Sequence, residues 1–335
     1  MVSKEEFREY CKSLIPKEEL EAFERQYKTR AKMTKGFIAC GIIIAILVFG
    51  VATFITQSLI AGIVMTFICS ASFALVAVII LAFTSPKKHI EFKEKYAEDI
   101  IKYLLTGYKH SYNPTGAISD LIFINSRFGA SSLFGLTDEG RNFDDYRGED
   151  LLKVDIPKDD GTPSGVELQI CDLHVTREEE RTVTEEDEDG HKHTRTETYT
   201  VTVYDGVFGY VHFPFKFKCR LGLNKNLFNM KRIQLEDIKF NQKFRVFTDN
   251  QLEAVVIMTP TLMTKLMEFS KKVNGFEMYL SPEGDMYFRM STNLFSLKVA
   301  NNHSPIEAFD RFYDDIYAIL SMVNEIKDNN KVFKM

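Results

Sequence analysis

Residues 36–85 read GFIACGIIIAILVFGVATFITQSLIAGIVMTFICSASFALVAVIILAFTS, with no Asp, Glu, Lys or Arg anywhere in the run. About half of these positions are Ile, Leu, Val or Phe, and such a run is too long for a core helix and points to the bilayer. It divides into Phe37–Ile55 and Leu59–Phe83, separated by Thr56, Gln57 and Ser58. Either piece is long enough, at 1.5 Å per residue, to cross about 30 Å of hydrocarbon. Twelve Ile, Leu, Val or Phe residues in the first piece contribute about -4 to -7 kcal/mol to insertion. The sequence therefore predicts a two-helix transmembrane hairpin.

Its flanks predict the orientation. Arg25, Lys28, Arg30, Lys32 and Lys35 precede the first span, Lys87 and Lys88 follow the second, and the turn carries no charge. Positive flanks stay on the cytoplasmic side, which predicts a multi-pass protein of the cell membrane with both termini cytoplasmic. The hairpin reads as an anchor, since it lacks the intramembrane charges that mark conduits. Gly41 with Ala45, and Ser70 with Ala74, offer small-residue pairs for close helix packing.

Outward from the hairpin, residues 1–35 read as a cytosolic helical arm, with Ser3 and Glu6 forming a capping box. Residues 86–110 read as a linker helix, opened by Ser85-Pro86 and stopped near Gly107. Residues 111–330 read as a cytosolic α+β domain, mostly antiparallel β with packed helices. Leu121–Ile124 has the texture of a short strand. Val166–Val183 and Thr194–Tyr204 read as long strands around an Asp189-Gly190 turn, with a second turn at Asp205-Gly206. Phe244–Phe247 and Ala254–Ile257 read as further strands, and Glu277–Leu280 with Met286–Met290 as a hairpin. Helices are expected after Thr259-Pro260 and after Ser304-Pro305-Ile306-Glu307.

Several stretches between Ser131 and Asn293 carry a resemblance. They are Ser132-Leu133-Phe134, Tyr146–Leu151, Val201–Phe208, and Phe244–Ala254 continuing through Met258–Met263. In these the chain resembles a bacterial membrane-protein family, the domain of unknown function numbered 3137. The resemblance implies a pair of N-terminal spans and a soluble domain. It implies no catalytic residues. The chain departs from the family at Leu152-Lys153-Val154-Asp155 and in its long charged arm.

That arm, 177–197, holds nine acids and four bases, a balance that matches the net charge of -5 of the whole chain. It reads as a protruding hairpin, whose charges discourage edge pairing and whose length suits partner binding. Asp187, Asp189, His191 and His193 mix oxygen and imidazole donors near its turn. The mixture fits neither hard cations nor zinc well, so a solvated hairpin tip with no metal is the expectation and a metal site on these four residues the alternative; no cofactor is expected. Glu149, Asp150, Asp249 and Glu253 are the candidate binding residues, although turn and strand-edge roles are far more usual for such acids.

The five cysteines are scattered and unpaired in motif, as in a reducing compartment. Cys171 near His174 is most simply a strand alternating its faces. The aromatic and basic alternation in Tyr210–Lys218 resembles a base-stacking platform, but a half-buried strand gives the same pattern. Net acidity further disfavours nucleic acid. The leading expectation is a membrane-anchored, non-enzymatic module that binds a protein or ligand, or self-associates, at the cytoplasmic face. The alternative is a membrane-bound, hydrolase-like enzyme whose acids and histidines converge only in the fold.

Overall fold

The computed structural model describes residues 1–56, 59–83, 88–128, 143–158, 160–186, 192–227, 229–273, 275–292, 294–295 and 305–329. It comprises two compact units.

The first unit is Ser3–Ala97 with Leu297–Arg311. Helix α1 (Lys4–Leu14) opens with the expected capping box: Ser3 Oγ accepts from the Glu6 N–H, and Glu6 Oε2 accepts from the Ser3 N–H at 3.0 Å. It buries Phe7 and Cys11, and Ile15 caps it ahead of Pro16. Helix α2 (Lys17–Thr56) then runs without a break from an acidic first turn into the apolar stretch. Helix α3 is Leu59–Phe83, and Phe73 on it lies 6.3 Å from Phe37, ring to ring. A Cβ on Gly41 would stand 3.3 Å from the Phe73 ring, so the small residue admits that ring.

Helix α4 (Lys88–Leu104) is tied to the start of α2 through Glu19, which accepts from the Tyr96 hydroxyl at 2.8 Å and from Lys95 Nζ at 3.1 Å. Arg8 donates twice to Asp310, at 3.0 and 2.6 Å, joining α1 to the first turns of α9 (Pro305–Asn329). Among the described residues, Lys32–Ile55 is long and apolar enough to cross a membrane, and none of it is buried. Ile63–Ala74, in α3, is a shorter apolar stretch. Phe54 is 86% exposed and Phe67 75%, an apolar surface that water does not favour.

The second unit carries Glu98–Ser296 and the rest of α9. Its sheet is built from β1 (Lys109–Asn113), β2 (Asp145–Pro157), β3 (Pro163–Glu186), β4 (Lys192–His212), β5 (Leu221–Leu223), β6 (Lys231–Ile233), β7 (Val246–Thr248), β8 (Glu277–Leu280) and β9 (Asp285–Met290). The order is β1-β2-β3-β4-β9-β8-β5-β7-β6, and every pairing is antiparallel. The α+β expectation holds in this form.

Alternation gives the sheet two buried faces. On one, Cys171, Leu173, Val175, Tyr204 and Phe208 pack with Phe123, Phe128 and Phe143. Phe123 meets Phe208 edge-on at 5.2 Å. On the other lie Leu168, Ile170, Val207, Val211, Met286 and Phe288. Phe276 approaches Phe288 there and meets Phe269 of α8 (Pro260–Phe269) at 5.1 Å. Phe312, Ile316, Leu320 and Val323 form the expected buried stripe of α9. Lys265 to Glu325, at 2.6 Å, joins α8 to α9.

Three local expectations are corrected. Leu121–Ile124 belongs to helix α5 (Asp120–Ser126), because Ser119 caps the Leu121 N–H and a short apolar run does not choose its own period. Ala254–Ile257 lies in helix α7 (Gln251–Ile257), capped by Asn250. Asp205-Gly206 is no turn, since β4 runs straight through it. In addition, β4 stops at His212, and the rings of Phe213, Phe215 and Phe217 cluster beyond it at 5.1–5.7 Å.

Candidate functional site

Two of the four candidate acids come together, with a third that the sequence did not single out. The register of β2 on β3 runs Glu149↔Asp172 and then Leu152↔Ile170, so Asp150 and Leu151 face a single residue, Cys171. This bulge turns Asp150 into the left-handed region, at φ 65°. The Asp150 N–H donates to the Pro114 carbonyl at 3.0 Å, and Asp150 Oδ1 accepts the Tyr112 hydroxyl at 2.5 Å. Asp172 Oδ1 accepts the Leu294 N–H at 3.3 Å.

Carboxylate oxygens of Glu149, Asp150 and Asp172 lie within 4.8 Å of one another, with Asp150 and Asp172 buried and Glu149 exposed. Oxygens so arranged have the chemistry of a hard-cation donor set, but like charges at that distance also repel. The Tyr112 hydroxyl stays protonated: burial pushes its pKa up, and the hydrogen bond to Asp150 adds to the shift.

Cys171 lies beside this cluster with its thiol pushed up to about 12 by burial. Its Sγ faces the Ile118 N–H at 3.5 Å. His174 is exposed, on the opposite side of the strand, with Nδ1 3.6 Å from Asp205. A neutral, buried thiol without an adjacent imidazole is core, not nucleophile.

Asp249 and Glu253 do not join the acidic cluster. Asp249 follows β7 and accepts from Arg220, the backbone N–H at 2.9 Å and Nε at 2.8 Å. Burial raises its pKa, but the Arg220 bonds and charge outweigh that and hold the carboxyl below the usual range. Its role is to fix the approach to β5. Glu253 sits in the first turn of α7.

Beyond Thr176, strand β2 no longer accompanies β3, and β9 meets β4 only from Val207. From Arg177↔Val201 to Glu186↔Lys192 the two strands pair with each other alone, among the described residues. These residues form a two-stranded ribbon. One face is an ion-pair ladder: Arg177 with Glu179, Arg181 with Glu197 at 2.8 Å, and Arg195 with Glu197 at 2.7 Å. Tyr199 donates to Glu179 at 2.8 Å, and Arg181 lies over its ring. The other face carries Thr182 opposite Thr196 and Thr184 opposite Thr194. Asp187, Asp189 and His191 lie outside the described residues, and His193 pairs with Glu185 in the ladder.

A second polar group escaped the sequence reading. Asp285 accepts from the Tyr210 hydroxyl at 2.9 Å and the Tyr287 hydroxyl at 3.3 Å, with His212 Nδ1 at 2.7 Å. The i,i+2 spacings of Tyr210 with His212 and of Asp285 with Tyr287 were its available signal.

Residues 192–328 match the family described as Protein of unknown function (DUF3137). Over those residues, less than half of its length, the chain is similar to that family. The match takes in β4, the Asp285 group, Asp249 and Glu253, and stops one residue short of the end of α9. Glu149, Asp150 and Asp172 fall outside it, so the acidic cluster lies in the part of this chain that precedes the DUF3137 match. Comparison with curated proteins gave no match, and comparison with solved structures gave none.

Proposed function

We propose that the chain is a membrane-anchored binding module. The exposed apolar half of α2 and the apolar helix α3 form a two-span hairpin in the cell membrane, with both termini cytoplasmic. The sheet unit, including its DUF3137 part, then stands in the cytoplasm and uses the ribbon to dock a protein. The ribbon carries the reading: ten residue pairs of two-stranded sheet with polar faces and, among the described residues, no other strand along either edge. A packed core does not require such an extension, and exposed strand edges serve as docking elements in many proteins.

A second reading, a membrane-bound hydrolase-like enzyme acting through Glu149, Asp150 and Asp172, draws on the burial of two of those carboxyls. Against it, Asp150 is engaged by Tyr112 and held on a bulge, which suits a fixed structural part.

The test is topology together with retention. The chain should stay with alkaline-washed membranes. Ser58→Cys should react with an impermeant maleimide from outside the cell, and a cysteine at Thr198 only after lysis. Release by the alkaline wash, or labelling of Thr198→Cys in intact cells, overturns the reading. Aspartate-to-asparagine variants of Asp150 and Asp172 that fold but abolish a membrane-dependent hydrolysis would establish the enzyme instead.

A further inference from the structure

The two edges of the ribbon differ in a way that selects a partner. The β3 edge carries Glu178, Glu179 and Glu180 in succession, with Glu185 and Glu186 further out. Clustered charge of one sign is how sheet edges resist pairing. The β4 edge, Thr194 to Val201, reads Thr-Arg-Thr-Glu-Thr-Tyr-Thr-Val. It has one base, one acid and otherwise residues that favour strands. Its Thr, Arg and Glu side chains are at least partly exposed. Next to β4 on that side, β9 begins its pairing only at Val207.

We infer that this β4 edge pairs antiparallel with the same edge of a second copy of this chain, through a two-fold axis at Thr196. The inference rests on the ribbon being the docking element and names its partner. A two-fold axis normal to the ribbon keeps each face on its own side, so only residues of the same parity meet across it. Centred on Thr196, the register sets Arg195 against Glu197 of the second copy, and the symmetry makes that pair twice. Thr196 then meets its own equivalent, and Thr194 meets Thr198 of the second copy. These are favourable cross-strand pairs. Moving the axis one residue, to Glu197, sets two glutamates against each other at the centre. Pairing through the β3 edge about Glu179 sets Glu179 against its own equivalent and Glu178 against Glu180 twice. Charge thus favours one edge and one register. Within each copy Glu197 already accepts from Arg181 and Arg195, so the second arginine completes an alternating network of charges.

The experiment uses the full chain in native membranes and then in detergent. Thr196→Cys should form a disulfide with itself under mild oxidation in membranes, giving a band at twice the chain mass that the unaltered protein, with its five native cysteines, lacks. Thr182→Cys, at the register partner on β3, should not. In detergent the unaltered chain should run at twice its mass by light scattering. Thr196→Lys, which sets two like charges across the axis at an exposed position, should halve it, and Thr182→Lys should leave it unchanged. No crosslink from Thr196→Cys in membranes, or a dimer whose mass Thr196→Lys does not alter, overturns the inference. Release of the chain from washed membranes would overturn the anchor alone, because the crosslink reads the ribbon wherever the protein resides.

Discussion

Tyr112 on β1 donates its hydroxyl to Asp150, a fully buried residue held in left-handed backbone on the bulge of β2. The bond joins two neighbouring strands beside the place where the register of β2 on β3 shifts. Removing it should matter more than removing a surface contact, because a buried acceptor loses a donor and water cannot replace it. Tyr112→Phe is expected to lower stability by about 1–3 kcal/mol and the melting temperature of the detergent-solubilised chain by several degrees. A melting curve superimposable on that of the unaltered protein would show that the bulge is held by other means.

Gly206 has φ 145°, and a Cβ there would stand 2.2 Å from the Met290 carbonyl oxygen. The neighbour is backbone and cannot swing aside. Gly206→Ala should therefore cost about 2 kcal/mol or more and loosen β4 from β9. Amide exchange at Val207–Val211 is the readout, and unchanged protection would refute the clash.

The Asp205-Gly206 pair shows why some of this fold was legible and some was not. A local rule reads Asp-Gly as a turn. The glycine is there instead because another strand presses against it through Met290, a constraint far away in sequence. Leu121–Ile124 and Ala254–Ile257 failed similarly: four apolar residues fit either period, and the deciding caps, Ser119 and Asn250, lay outside the windows. Long periodic elements were legible, as in α8, the β8–β9 hairpin and the buried stripe of α9. Of the candidate site, Glu149 and Asp150 were visible as adjacent acids. Asp172 was not, because only the register of β3 on a bulged β2 brings it to them.

Burial pushes the thiols of Cys11 and Cys171 up to about 12 and that of Cys219 up to about 11. A thiol with so high a value is protonated at pH 8, and the protonated form is a poor nucleophile. A maleimide at pH 8 should leave all three unmodified in the native chain and modify them in denaturant. Fast modification of Cys171 in the folded protein would reopen a nucleophilic role.

Asp249→Ala removes the acceptor for two Arg220 donors. The carboxylate is one-third exposed, which places the expected loss at the low end, about 1–2 kcal/mol. A larger effect than that of Glu253→Ala, measured by thermal melting, is the expected order. The reverse order would remove the clamp from the explanation of how β5 is held.

The ion-pair ladder of the ribbon gives it a pH dependence of defined sign. The Arg181 hydrogen bond lowers the pKa of Glu197, Arg195 contributing further, and the Tyr199 hydroxyl with Arg177 lowers that of Glu179. A carboxyl whose folded value lies below its unfolded value stabilises the folded form above the unfolded value, about 4.3 for glutamate. The contribution fades as pH falls through the lowered folded value. Acidification below about pH 4 should thus loosen the ribbon before it affects the packed sheet. Amide protection of Thr194–Thr200 should fall relative to that of Val207–Val211, a ratio that removes the intrinsic pH dependence of exchange. Glu197→Gln keeps a neutral acceptor and should flatten the change, and added salt should imitate it by screening these exposed pairs. A ratio that stays constant down to pH 3 would mean that the ladder does not hold the ribbon together, leaving its backbone pairing and threonine face to do so.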